Sequence, residues 1–146
     1  MTNQNETIRT EYTSPMDSPG FWFWQAFLSW QKQIDVALAP YDLTQPSFSV
    51  LAITAWLSAE NHRVTNQRTV RQKIIVEITK LNKMQVSQLL QRLVGSGLVT
   101  VEPYELDRRE RLVGLTEKGW DILRKTVVLV ENTDRDLLSK VTIDAP

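Results

Sequence analysis

LNKMQVSQLLQRLVGSGLV (81–99), TVEPYELDRRERLVGL (100–115) and TEKG (116–119) decide the fold. Asn82 stands three residues ahead of Gln85, the spacing of a reciprocal helix cap. Behind it Val86, Leu89, Leu90 and Leu93 form the apolar stripe of a helix. Gly95 and Gly97 are expected to end that helix, where a residue must take positive φ. Residues 98–102 then read as a strand, 111–115 as its antiparallel partner, and 103–110 as a charged connection. Thr116 caps a further long helix, with Glu117 well placed against its N-terminal dipole. Gly119 in the first turn implies close backbone packing. A polar-faced helix beside a basic hairpin suits a DNA duplex: the helix fits the major groove, and a hairpin tip can enter the minor groove.

Upstream, Ser18 and Pro19 mark a helix start, and the helix is expected to run to about Ala39. Phe23, Phe27, Trp30, Ile34 and Ala37 share one stripe, widened by Trp22, Trp24 and Leu28. Thr44 with Pro46 opens a second helix carrying Phe48, Leu51, Ala52, Ala55, Trp56 and Ala59, expected to end near Asn61. Residues 62–69 read as a polar loop, and 70–79 as a third helix with Ile74, Ile75 and Ile78 inward. The last helix carries Ile122 or Leu123, Val127, Val130, Leu137 and Val141, and the closing TIDAP is expected outside it. Residues 1–17 have few apolar side chains and no period, and read as a mobile arm. The fold class is therefore mainly α with a small antiparallel hairpin. One domain spans 18–146, with a DNA-binding lobe at about 44–115 and flanking helices at 18–39 and 116–141.

The chain has 146 residues and formal net charge zero, but its charge is not evenly spread. Residues 1–62 hold 2 basic and 6 acidic side chains, residues 63–111 hold 10 and 5, and residues 112–146 hold 5 and 6. The basic character is confined to the segment that contains the helix pair and hairpin, as expected of an electrostatic footprint. There is no cysteine and only one histidine, His62, which excludes disulfides, thiol chemistry and any multi-histidine metal site. No Gly-rich phosphate loop or nucleophile elbow is present, so neither an enzyme nor a cofactor is expected. No apolar run approaches the roughly 18 residues that cross a bilayer, and the first seventeen residues lack a leader's apolar stretch. A cytoplasmic protein without membrane association is the expectation.

The turn 80–82 joins two helices, and the second exposes Lys83, Gln85, Ser87, Gln88, Gln91 and Arg92. Glutamine pairs bidentately with adenine, serine reads several base edges, and Lys or Arg neutralises phosphate. Such a face alone also fits an ordinary solvated helix. The hairpin adds Arg108, Arg109 and Arg111 in one place, and arginine clusters fit a narrow, strongly negative minor groove.

NKMQVSQLLQRLVGSGLV (82–99) and DRRERLVGLTEKG (107–119) resemble the MarR family of winged helix-turn-helix transcriptional regulators. The likeness lies in Leu93 followed by Gly97-Leu98-Val99, in Asp107 with Arg109, and in Leu115-Thr116 with Gly119, and extends more loosely from Phe23 to Leu138. It implies a recognition helix starting at Lys83, a wing arginine at Arg109 entering the minor groove, and Asp107 bracing the wing. Arg71 and Gln72 would lie at the start of the supporting helix, near the DNA backbone. The first and last helices would form a homodimer interface, which implies a pseudo-palindromic site on double-stranded DNA. Family members carry a further helix beyond the counterpart of Leu138, and the aromatic first helix is expected to substitute for it. Many members bind small aromatic acids between the dimer arm and the DNA-binding lobe. The implied function is a repressor released by a small ligand, with Trp22, Trp30, Trp56 and His62 as pocket candidates and Arg63 as a further cation. The alternative is a winged-helix module that docks an acidic protein and lacks DNA affinity.

Overall fold

The computed structural model describes residues 8–138. Five helices and three short strands follow in the order α1 (Pro19–Leu38), α2 (Gln45–Thr65), β1 (Val70–Arg71), α3 (Gln72–Thr79), α4 (Lys83–Gly95), β2 (Val99–Pro103), β3 (Arg111–Leu115) and α5 (Glu117–Leu138). The sheet is antiparallel with order β1-β3-β2. Of the segment read as an arm, Pro15–Asp17 forms a 3-10 turn capped by the Ser14 side chain. Val141 and the closing TIDAP lie outside the described residues.

Ser18 caps α1 with Pro19 at the first helical position. Its stripe is covered unevenly. Ile34 and Leu38 are fully buried, and Leu38 rather than Ala37 completes the covered end. Phe23 and Phe27, on the same stripe nearer the start, are 71% and 42% exposed. The Trp30 indole N–H donates to Asp134 Oδ1 at 2.7 Å, tying α1 to α5. The N–H of Gln45, the first residue of α2, donates to Asp35 Oδ1 at 2.7 Å and fixes where the second helix leaves the first.

The second helix is longer than expected. It continues through His62 to Thr65 and ends at Asn66, which takes φ 62 as a left-handed cap. Its buried face comprises Ser47, Phe48, Val50, Leu51, Thr54, Ala55 and Ser58. Trp56 is displaced from that face and 63% exposed. The buried hydroxyls are satisfied inside the helix: Thr54 donates to the Val50 carbonyl at 2.7 Å and Ser58 to that of Ala55 at 3.2 Å. Residues 70–79 also differ from a continuous helix, since Val70 and Arg71 pair with Val113 and Leu112 before α3 begins. Ile75 is fully buried, Ile74 partly, and Ile78 is largely exposed.

The end of α4 and the start of α5 form one locked junction. Gly97 takes φ 75, whereas Gly95 stays helical. The Gly97 N–H bonds the Val94 carbonyl and the Leu98 N–H that of Leu93, both at 2.9 Å, which ends the helix as a Schellman turn. Thr116 Oγ1 donates to the Gly97 carbonyl at 2.6 Å and accepts from the Gly119 N–H at 3.0 Å. A Cβ on Gly119 would stand 3.0 Å from the Leu98 carbonyl carbon and nearer still to its oxygen. This contact sets the angle between α4 and the long helix that follows.

Candidate nucleic-acid interface

Asn82 and Gln85 form the reciprocal cap of α4: Asn82 Oδ1 accepts from the Gln85 N–H at 2.8 Å, and Gln85 Oε1 accepts from the Asn82 N–H at 3.1 Å. The turn before it needs Lys80 in the left-handed region, at φ 58. Val86, Leu90 and Leu93 are buried, and Leu89 is partly so. Helical geometry then places Gln88 on the crest opposite that stripe, with Ser87 and Gln91 on the flank facing the wing.

The wing loop between β2 and β3 is a folded turn. The Tyr104 N–H donates to the Glu110 carbonyl at 3.1 Å, and the Asp107 N–H to the Tyr104 carbonyl at 3.2 Å. Asp107 Oδ1 accepts from the Arg109 N–H at 3.0 Å and lies 3.7 Å from its Nε. The Asp107 carboxylate thus holds the tip together, while the Arg109 side chain stays 95% exposed and free to reach outward. Lys73 on α3 lies 3.6 Å from Glu110 Oε1 and fastens the end of the loop to the body.

Helix and wing enclose a cleft of about 550 Å³. Lys83, Ser87 and Gln91 line it from α4, spaced by four along one flank. Arg108, Arg109 and Arg111 line it from the wing side. Four of the predicted site residues (Lys83, Ser87, Arg108 and Arg109) therefore meet in one concave surface. Gln91 and Arg111, both noted for their exposure or charge, join them. Gln88 on the crest, and Gln85 and Arg92 on the far flank, are not among the residues that line the cleft. The Gln85 carbonyl is already committed to the cap, and Arg92 lies in the last turn of the helix, where a cation suits its dipole. Gln72, expected near the DNA backbone, is 9% exposed and forms part of the cleft wall. Arg71 does not line the cleft: its guanidinium lies over the Tyr104 ring.

The three tryptophans expected beside His62 do not converge on it. A second cleft of about 550 Å³ lies between the end of α2 and the start of α5, lined by His62, Arg68, Trp120 and Arg124 among others. Trp22, Trp30 and Trp56 are absent from it. Trp22 and Trp56 are exposed, and Trp30 is engaged with Asp134. The His62 Nδ1 is buried without a hydrogen-bond partner among the described residues. Sequence reading passed over Trp120 because the helix start offered no other aromatic to make a pattern. Among the described residues no group of His, Cys, Asp and Glu could hold a metal, and no helix is long and apolar enough to cross a membrane.

Three helices followed by a two-stranded wing beside the third define a winged helix-turn-helix domain. Residues 42–133 match the ArnR1-like winged-helix domain family. The chain is 32% identical over 126 residues to the HTH-type transcriptional regulator YdcH of Bacillus subtilis (strain 168), covering 86% of this chain and 82% of that protein. It is 24% identical to the transcriptional regulator HosA of Escherichia coli O157:H7 over 84% of this chain and 78% of that one. A mutant MarR from E. coli, crystallised with operator DNA, superposes with a TM-score of 0.71 at 22% identity, over 86% of this chain and 83% of that chain. The chain belongs to the ArnR1-like winged-helix family of DNA-binding transcriptional regulators, and its fold is that of MarR.

Proposed function

We propose that this regulator binds a pseudo-palindromic operator as a homodimer, each subunit laying α4 in the major groove and its wing in the adjacent minor groove. The carrying observation is the shared cleft, where the flank Lys83–Ser87–Gln91 faces Arg108 and Arg109. In this reading Gln88 and Ser87 read base edges, Lys83 and Arg108 neutralise phosphate, and Arg109 enters the minor groove. Gln85 and Arg92 reach phosphates at the flank. The uncovered start of the α1 stripe supports the dimer, because Phe23 and Phe27 continue a face that the chain itself buries further along. Two-fold symmetry then places the half-sites about one helical turn apart. The cytoplasm, where the chromosome is, is its place of action.

Arg109→Ala should weaken operator binding and flatten the slope of log K against log salt by about one unit. Gln88→Ala should leave that slope unchanged and relax discrimination at one base pair by about 1–3 kcal/mol. Fluorescence anisotropy over a salt series reads both, and two unaltered mutants would remove the placement.

Release by a small acid is the second part of the proposal. The cleft at His62 brings Arg68 and Trp120 together at the border between lobe and arm, with Arg124 beside them already paired to Asp121 at 2.7 Å, which leaves Arg68 as the cation for a carboxylate. An aromatic carboxylate should quench tryptophan fluorescence and lower DNA affinity together, and Arg68→Ala should abolish both effects. Quenching that persists in that variant would move the ligand elsewhere.

A further inference from the structure

We propose that Arg71 serves DNA binding through Tyr104, as the brace that holds the wing, and not through contact with phosphate. The Arg71 guanidinium carbon lies 4.8 Å from the centroid of the Tyr104 ring, and its Nη2 donates to the Tyr104 hydroxyl at 3.2 Å. One side chain thus uses both its planar face and a donor edge on a single partner. The two residues come from opposite margins of the sheet. Arg71 sits on β1, paired with Leu112 of the middle strand, and Tyr104 directly follows β2. The contact therefore spans the whole width of β1-β3-β2.

Tyr104 is also the hinge of the wing. Its N–H bonds the Glu110 carbonyl and its carbonyl accepts from the Asp107 N–H, so both ends of the turn pass through this residue. The tip beyond it is bonded within itself through Asp107, and Arg108 and Arg109 are exposed. Where the tip points depends on what fixes the hinge. Two contacts do so from the body: Lys73 to Glu110 on one side and Arg71 to Tyr104 on the other. A wing held in place before binding loses less conformational freedom on the duplex. Arg71, though exposed and basic, is absent from the cleft that the wing arginines line.

This inference rests on the DNA-binding reading, and the test separates the two. Operator affinity is measured over a salt series for Arg71→Ala, Arg71→Lys, Tyr104→Ala, Tyr104→Phe and the double Ala variant, with Arg109→Ala alongside. A brace predicts that Arg71→Ala and Tyr104→Ala each weaken binding by roughly three- to tenfold, that the double variant is no worse than either, and that the salt slope keeps its parental value. Arg71→Lys should resemble Arg71→Ala, because lysine keeps the charge but not the planar stack, and Tyr104→Phe should recover part of the loss. A phosphate contact predicts the reverse: Arg71→Lys binds like the parent, Arg71→Ala loses about one unit of slope, and Tyr104→Ala changes nothing. That result, or additive losses in the double variant, overturns the brace. Thermal melts of each variant confirm that the fold is retained. No binding by the parent protein to any duplex, or an unchanged slope for Arg109→Ala, would instead overturn the DNA reading.

Discussion

Gly119→Ala is expected to lower the melting temperature by roughly 5–10 °C, corresponding to about 1–3 kcal/mol of overpacking. The added methyl would meet the backbone of Leu98, which has no rotamer to move into. It can be accommodated only by pushing the first turn of α5 away from the end of α4, against the Thr116 bond to Gly97 and the bond that Lys118 Nζ donates to the Ser96 carbonyl at 2.9 Å. Gly95→Ala is the matched control. That glycine is helical rather than left-handed, and a Cβ there meets nothing within 4 Å. It should raise stability by about 0.5–1 kcal/mol, since alanine loses less backbone entropy in a helix. Differential scanning calorimetry compares the pair. Equal melting temperatures would mean that the junction is looser than drawn. The same loss should appear in DNA binding, because the junction transmits the angle of the dimer arm to α4.

Phe23→Asp combined with Phe27→Asp should convert the protein to a monomer and weaken operator binding by two orders of magnitude or more. Two recognition helices on one rigid arm bind as a single ligand, and parting them removes the effective concentration that each lends the other. The chain's own fold should survive, because Phe23 is 71% exposed and Phe27, whose ring lies 5.9 Å from that of Trp30, is still 42% exposed, while Ile34, Leu38 and the Trp30–Asp134 bond hold α1 in place. Sedimentation velocity gives the oligomeric state and circular dichroism the fold. A dimer that persists with unchanged affinity would place the interface elsewhere.

The parts of the fold that follow from local chemistry were legible in the sequence. Ser18, Thr44, Asn82 and Thr116 all cap helices where their side chains predict, because a cap needs only a few consecutive residues. The wing strand 111–115 was found for the same reason, its pattern being local. What failed depends on partners distant in the chain. A strand of two residues, β1, has no period to read and exists only because β3 lies beside it. The face of α2 was read in part: Phe48, Leu51 and Ala55 are buried as expected, but Ser47, Thr54 and Ser58 join them because their hydroxyls bond within the helix. Trp56, placed inward by its helical spacing from Ala52, stands on the edge of the true face and is exposed. For the site, charge and helical spacing pointed to Lys83, Ser87, Arg108 and Arg109, which the fold brings to one cleft. Neither could tell that Arg71 is occupied by Tyr104, 33 residues away.

Selection of bound fragments from random duplex DNA by the full-length protein tests the central claim most directly. A helix and a wing that read adjacent grooves from a two-fold arm should enrich inverted repeats centred about one helical turn apart, with A·T-rich flanks where Arg109 meets a narrow minor groove. Enrichment of unpaired, asymmetric sequences, or none at all at low salt, would contradict it.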